Sequence, residues 1–291
     1  MIPRSFEYFA PRTLDEAVSL LQKLGPEAKI LSGGQSLIPM MKLRLAAPPY
    51  IIDINHIPGL NYISELDGHL RIGALARESD LEVAPAVTSR YPILVDTTSV
   101  IADPLVRNQA TVCGNLAHGD PANDHPATML ALGASVIAVG PTGEREIPIE
   151  SFFTGLFTTA LQPDEILKEI RVPVPSPSSG GAYLKLERKV GDYATAGVAV
   201  QINMNGGGVC KRAGIGLTNV GLSPLQAKKA EAFLAGKTLD QSTIKQAAEL
   251  AAGEAQPIDD IRGSADYKRD LVRVLTARAL NRAFERAKGG A

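Results

Sequence analysis

Two stretches of this chain combine glycine with small polar residues in a pattern that suits an anionic ligand. The first, LSGGQSLIPMMKLR, occupies positions 31–44 and follows the strand-like run AKIL. Gly33 and Gly34 stand where a core would ordinarily be packed. Paired glycines mark either an unusual backbone angle or a close backbone approach. The spacing is not Gly-x-Gly-x-x-Gly, and no Lys-Ser/Thr pair follows the second glycine, so neither the Rossmann fingerprint nor the P-loop applies. Successive N–H groups freed by glycine still form a concave anion-binding nest. Ser32 and Ser36 add hydroxyls and Gln35 an amide, and a short helix is expected to begin near Leu37, where free N–H groups favour a phosphate. Taken alone, the loop fits a plain structural turn as well as it fits a phosphate site.

The second stretch, NQATVCGNLAHGDPANDHP at 108–126, repeats the chemistry. Thr111, Gly114 and Asn115 supply small or polar groups and an open backbone. Asp120, Asn123 and Asp124 crowd polar side chains just before an expected helix. A carboxylate such as Asp124 suits a ribose hydroxyl; turn and N-cap chemistry is the alternative for both aspartates, and the more so for Asp120. Two loops that could hold the two halves of one dinucleotide carry more information than either alone. His118 and His125 flank the Asp-rich turn, which raises a metal site as a second reading; a turn beside a cofactor accounts for them without one. His56 and His69 read as loop or strand-edge residues.

The elements that must position these loops follow from pattern. Thr13-Leu-Asp-Glu16 is a capping box, and Leu14, Ala17, Val18 and Leu21 follow at helical spacing, which predicts a helix over 14–24. Residues 29–31 and 50–54 read as strands around the first loop. Asp67-Gly68 between 62–64 and 70–72 predicts a hairpin. A helix is expected from near Pro92, closed by Asp103-Pro104, and another over 126–132. Strands are expected at 135–139 and 146–149 around a turn at 141–144. PVPSPSSGG at 173–181 reads as an exposed linker. Beyond it come strands at 182–189, 198–204 and 212–218, with a flexible hairpin tip at 205–208. Helices near 224–235, 241–253 and 265–288 close the chain, an order that implies a smaller α+β domain. Arg278, Arg282 and Arg286 read as a solvated helix face, cations near a helix C-terminus also suiting its dipole.

Composition sets outer limits. The chain has 291 residues, a net charge of −1, 45% hydrophobic and 21% charged residues. That balance offers no nucleic-acid footprint, which needs a basic excess or stripe. No apolar run is long enough to span a bilayer. The first residues, MIPRSFEYFAPRTLDEAV, contain no apolar signal core, so a cytoplasmic protein is expected. Cys113 and Cys210 lie far apart, against a disulfide framework. Two cysteines are also too few for a four-thiolate iron–sulfur cluster, so any such cluster belongs to another chain. No Ser-His-Asp or Cys-His arrangement suggests nucleophilic catalysis.

SGGQSLIPMMKLR, IIDINHIPGL, TVCGNLAHGDPANDHPA and YLKLERKVGDYATAGVAV together resemble the FAD-binding medium subunits of molybdenum hydroxylases, of the aerobic carbon monoxide dehydrogenase type. The resemblance runs over essentially the whole chain. It implies an α+β fold: a two-part FAD-binding region of the vanillyl-alcohol-oxidase/PCMH type over 1–176, with subdomains of about 1–56 and 57–176, then a C-terminal flavoprotein domain over 178–291. It implies that Leu31, Ser32, Gly33, Gly34, Gln35, Ser36, Leu37 and Ile38 wrap the FAD pyrophosphate. Thr111, Val112, Cys113, Gly114 and Asn115 grip the cofactor from the other side. By the same resemblance Asp124 reaches the adenosine part, Ile101 lines the pocket, and Ile166 or Leu167 touches the adenine end. Lys185 approaches the flavin or its phosphate side, and Tyr193 covers one face of the isoalloxazine; an aromatic in such a strand–turn region is otherwise a core residue. Cys113 stands where the family usually has Gly, so either this position is conformationally ordinary or the loop is remodelled. A small buried residue is the simpler role for it than a covalent flavin link.

The same resemblance implies partners: an iron–sulfur small subunit and a molybdenum-cofactor large subunit, as a dimer of heterotrimers, with a quinone or NAD as external electron acceptor. No metal is implied in this chain. The alternatives are the medium subunit of a related aldehyde or N-heterocycle hydroxylase, a self-sufficient FAD oxidoreductase, and a non-enzymatic nucleotide-binding protein.

Overall fold

The structure, a computed structural model, describes residues 2–205 and 207–289. The chain opens with a small parallel sheet. Strand β1 (Glu7–Phe9) leads to helix α1 (Leu14–Leu24), strand β2 (Ala28–Leu31), helix α2 (Leu37–Lys42) and strand β3 (Tyr50–Asp53), in the sheet order β1-β3-β2. Thr13 caps α1 as its sequence predicts, its Oγ1 accepting the Glu16 N–H at 3.1 Å. Glu16 reaches back to the N–H of Arg12, at 2.7 Å, rather than to that of Thr13. Ala17, Val18 and Leu21 bury one face of α1 in a core shared with Ile52 and Ile54.

A second, antiparallel sheet follows. Strands β4 (Ile63–Leu66) and β5 (His69–Gly73) form the expected hairpin, and positive φ at both Asp67 and Gly68 makes its turn type I′. Six helices intervene: α3 (Glu78–Val83), α4 (Pro85–Arg90), α5 (Pro92–Ser99), α6 (Pro104–Arg107), α7 (Val112–His118) and α8 (Asp124–Leu132). The chain returns through β6 (Ser135–Gly140) and β7 (Gly143–Pro148), a short pair β8 (Phe153–Gly155) and β9 (Thr158–Thr159), and β10 (Ile166–Pro173). The sheet order is β4-β5-β10-β6-β7. One expectation here is corrected. Asp103-Pro104 opens a helix instead of closing one: Asp103 Oδ1 accepts the Val106 N–H at 3.0 Å and Pro104 occupies the first turn of α6, where its missing N–H costs nothing.

The third sheet is β11 (Ser179–Leu186), β12 (Ala196–Met204), β13 (Cys210–Thr218) and β14 (Leu225–Gln226), antiparallel in that order. Helices α9 (Lys228–Leu234), α10 (Gln241–Glu254) and α11 (Ala265–Ala287) share an apolar core with it. The expected linker is shorter than PVPSPSSGG, because Gly180 and Gly181 are buried inside β11. Gly206, at the expected hairpin tip, lies outside the described residues. Helix α8 packs on this sheet so closely that a Cβ at Gly214 or Gly216 would fall on the carbonyl of Ala131 or Ala127. The basic face of α11 is corrected as well. Arg286 binds Asp96 of α5 through two nitrogens at 2.6 and 3.0 Å, and Arg282 reaches the same carboxylate at 3.1 Å. Asp96 is 10% exposed, so two of the three arginines tie α11 to α5, across the expected linker. No helix among the described residues is long and apolar enough to cross a membrane.

Candidate functional site

The two glycine loops face one another across a cavity of about 920 Å³, at the upper end of the range for ligand pockets. The first loop links β2 to α2; the second runs from α6 into α7. They touch directly. Ser32 Oγ and Thr111 Oγ1 lie 3.0 Å apart. A Cβ at Gly33 would fall on the carbonyl oxygen of Gln109 and lie 2.8 Å from Ala110 Cα and Thr111 N. Gly33 is therefore required by the approach of two backbones, and Gly34 by its φ of 73°, which an L side chain adopts only with strain.

A polar network ties the loops from below. Asn55 Nδ2 donates to Ser32 O at 2.8 Å and to Asp53 Oδ1 at 2.6 Å. Arg77 donates to Asn55 Oδ1 at 2.7 Å and to Gln109 O, so it links the second loop to the asparagine that holds the first. Tyr8 Oη closes the network on Asp53 Oδ2 at 2.6 Å. Burial pulls the Asp53 carboxyl upward, but the hydrogen bonds from Tyr8 and Asn55 prevail and hold it below its ordinary value. Asn55 and Arg77 were not singled out in the sequence. INH after YIID and a lone arginine before a helix carry no signal at the level of motif.

The nest is open. Among the described residues, no protein acceptor takes the N–H groups of Gly33, Gly34, Gln35 and Ser36. Asn115 Oδ1 is buried without a hydrogen-bond partner and Asn115 lines the cavity. Lys29 is the one lysine, and there is no arginine, among the described residues of the lining. An anion entering here would meet amide dipoles rather than side-chain cations.

The remaining singled-out residues divide into two groups. Leu31, Ser32, Gly33, Gly34, Gln35, Ser36, Leu37, Ile101, Thr111, Gly114, Asn115, Asp124 and Tyr193 line the cavity. Tyr193 is 44% exposed and so is not a core residue. Ile38 packs over Gly34, whose Cβ would lie 2.7 Å from its Cδ1. Val112, Cys113 and Leu167 point into the main core and Ile166 into the core beneath α1; these four contribute backbone to the wall at most. Leu161, Gln162, Pro163 and Glu165 stand on the cavity beside them. Cys113 lies in the first turn of α7 with its Sγ 3.5 Å from Ile72 O. The position is helical and needs no glycine, and the thiol is buried in the main core, off the cavity lining, where burial pushes it well above its ordinary range.

Asp124 and Lys185 form one buried unit. Tyr183 Oη donates to Asp124 Oδ1 at 2.5 Å and Lys185 Nζ to Asp124 Oδ2 at 3.1 Å. Lys185 also donates to Asp192 O at 3.0 Å and lies 3.2 Å from Glu187. Burial raises the Asp124 carboxyl above its ordinary value against the pull of Lys185. Lys185 thus joins Asp124 to Asp192, the residue before Tyr193. The two histidines do not share a site. His118 lines the cavity against the Phe157 ring, 5.3 Å between centroids, and burial lowers its pKa. His125 is fully buried, with Nε2 2.7 Å from Glu78 Oε2.

A large cleft with an open amide nest and an exposed aromatic on its wall suits a dinucleotide cofactor. Comparison with known proteins gives the family. Residues 4–175 match the model of the FAD binding domain in molybdopterin dehydrogenase, and residues 181–283 that of the CO dehydrogenase flavoprotein C-terminal domain. The chain is 45% identical over 286 residues to the carbon monoxide dehydrogenase medium chain of Hydrogenophaga pseudoflava, covering 98% of this chain and 99% of that one. It is 44% identical to the corresponding chain of Afipia carboxidovorans, over 99% of this chain and all of the other. A chain of the solved carbon monoxide dehydrogenase of Hydrogenophaga pseudoflava superposes with a TM-score of 0.96 at 47% identity, over 98% of this chain and 99% of that chain. The chain belongs to the FAD-binding medium-chain family of carbon monoxide dehydrogenase and related molybdenum hydroxylases.

Proposed function

We propose that the chain is the FAD-binding electron-transfer subunit of a molybdenum hydroxylase that oxidises carbon monoxide. It receives electrons from a separate iron–sulfur small subunit, in a complex with a molybdenum-cofactor large subunit arranged as a dimer of heterotrimers. An external acceptor, a quinone or NAD, takes them away. The observation that carries this reading is the contact of two glycine loops around an amide nest that no protein group fills. FAD supplies the redox chemistry; the protein supplies the rest. N–H groups from the 33–36 segment hold the pyrophosphate, and Asn115 Oδ1 offers an acceptor to a cofactor hydroxyl. Tyr193, backed by Asp124, Lys185 and Asp192, orients the flavin end. The wall from Leu161 to Glu165 meets the adenine end. Residues 1–176 form the FAD-binding region, with a subdivision near 56, and residues 178–291 the domain that carries Tyr193.

The need for partners is supported by the two cysteines, Cys113 and Cys210, both buried and unable to hold a cluster. The test is stopped-flow absorbance. The full chain carrying FAD is expected to show no flavin bleaching with carbon monoxide alone. Adding the iron–sulfur and molybdenum subunits should give cluster reduction followed by flavin reduction. Rapid bleaching of the chain alone would overturn the subunit reading. Bleaching of the complex by an aldehyde or N-heterocycle but not by carbon monoxide would reassign the substrate.

A further inference from the structure

Gly191, Asp192 and Tyr193, in the strap between β11 and β12, line the cavity, and this strap is gripped by a turn from far along the chain. Gly191 rests on Ala102, where a Cβ would fall within 2.8 Å of the Ala102 carbonyl carbon. Asp192 is the pivot. Its backbone oxygen accepts from Lys185, Oδ2 accepts from Arg188 at 3.1 Å, and Oδ1 accepts from the Tyr193 N–H at 2.8 Å and from Arg262 Nη2 at 3.1 Å. The Arg262 guanidinium also lies over the Tyr193 ring, 5.7 Å from its centroid. Arg188 is 48% exposed and Arg262 only 19%, so Arg262 makes the less screened of the two ion pairs.

The turn that carries Arg262 is held rigidly. Asp260 and Gly263 exchange backbone hydrogen bonds at 3.1 and 3.2 Å, and Asp260 Oδ1 accepts the Arg262 N–H at 2.8 Å. Lys268, in the first turns of α11, is 1% exposed. Its Nζ reaches Asp260 Oδ2 at 2.7 Å and Ile258 O at 3.1 Å. A lysine this buried is unfavourable unless paired, and these partners all lie in the turn.

We infer that Arg262 is a positioning residue for FAD: it latches Asp192 and Tyr193 on the cavity wall, and the Lys268–Asp260 pair sets it in place. The inference rests on the placement of the flavin end at Tyr193 proposed above. The latch closes over the isoalloxazine side of the cavity, so its loss shows in flavin retention and in exposure of the bound flavin to solvent.

The test uses the full chain in the form that carries FAD. Arg262→Ala is expected to raise the FAD dissociation rate about tenfold, the effect of losing one charge-assisted hydrogen bond and one cation–π contact. Quenching of bound flavin by iodide should rise with it. Arg262→Lys should recover the dissociation rate only in part, because an ammonium does not lie flat on a ring as a guanidinium does. Lys268→Met should move both readouts in the same direction as Arg262→Ala. A second measurement needs no cofactor. The chain contains no tryptophan, so Tyr193→Trp places a single reporter in the strap, and its anisotropy in the FAD-free chain should fall when Arg262→Ala is added. Unchanged anisotropy overturns the latch. A dissociation rate that changes in Tyr193→Ala but not in Arg262→Ala also overturns it. A rate unchanged in both, with the anisotropy lowered, overturns the flavin placement and leaves the latch standing.

Discussion

Gly33→Ala is the sharpest perturbation the structure offers. The added Cβ would fall on Gln109 O and lie 2.8 Å from Ala110 Cα and Thr111 N. Carbon contacts settle near 3.5–4.0 Å, so the two loops must part by roughly 1 Å. None of the three atoms belongs to a side chain, so no rotamer absorbs the strain. Nor is the second loop free to retreat: Glu78 N–H donates to Ala110 O at 3.0 Å, Val112 N–H to Ala76 O at 3.1 Å, and Ala110 N–H to Val106 O at 2.8 Å. Overpacking of this kind costs about 1–3 kcal/mol of stability. The nest loses more. If parting the loops removes one hydrogen bond to a phosphate, worth about 1.5–3 kcal/mol, FAD affinity falls roughly ten- to a hundredfold. The assay is FAD titration of the folded variant alongside a urea unfolding curve. Gly34→Ala is the comparison. It takes a strained φ at about 1–2 kcal/mol, but its Cβ meets the flexible tip of Ile38, so the cavity keeps its width and FAD affinity falls less. A folded Gly33→Ala protein that binds FAD normally would refute the reasoning.

Asp124→Ala should cost about 1–3 kcal/mol of stability by stranding Tyr183 and Lys185, with Glu187 still at 3.2 Å to soften the loss, whereas Asp124→Asn should cost less, as a difference in urea midpoints. Because Asp124 has a raised folded pKa, its contribution to stability is complete below its ordinary value of 3.8 and is lost as pH rises through the folded value; Asp124→Asn should flatten that part of the stability–pH curve. Asp53 and Asp192 run the other way. Both are lowered, so their stabilisation is present above 3.8 and disappears as pH falls through the folded values, and acid titration followed by flavin fluorescence should show FAD release in that window. Arg77→Ala should weaken FAD binding with little change in the α1 core, because it unlinks Asn55 from Gln109; unchanged affinity would remove the network from the account.

Local pattern was enough for the elements that present the loops. The cap at Thr13, the Asp67-Gly68 turn and the strand–loop–helix run from Ala28 to Lys42 depend on neighbours in sequence, and the sequence showed them. The glycine pair was visible as a place that something approaches; that the second glycine loop itself makes the approach at Gly33 was not. What pattern missed is long-range. Arg282 and Arg286 looked solvated because Asp96, their partner, is 190 residues from Arg286. Asp103-Pro104 looked like a stop because Pro usually is one, yet Pro also starts helices. Gly180 and Gly181 looked like linker because their composition matches one, while a helix pressed on β11 demands small residues there. Strand alternation turns the Ile166 and Leu167 side chains into two different cores, a placement that the run PDEIL does not show by itself.

The central claim is that the first glycine loop, backed by the second, holds the pyrophosphate of FAD by backbone amides. A crystal structure of the full chain with FAD bound tests it most directly. The account predicts phosphate oxygens at hydrogen-bonding distance, roughly 2.7–3.2 Å, from N–H groups of the 33–36 segment, with the second loop packed against them and the flavin ring against Tyr193. A pyrophosphate lying outside both loops, or held by side-chain cations instead of amides, would contradict it.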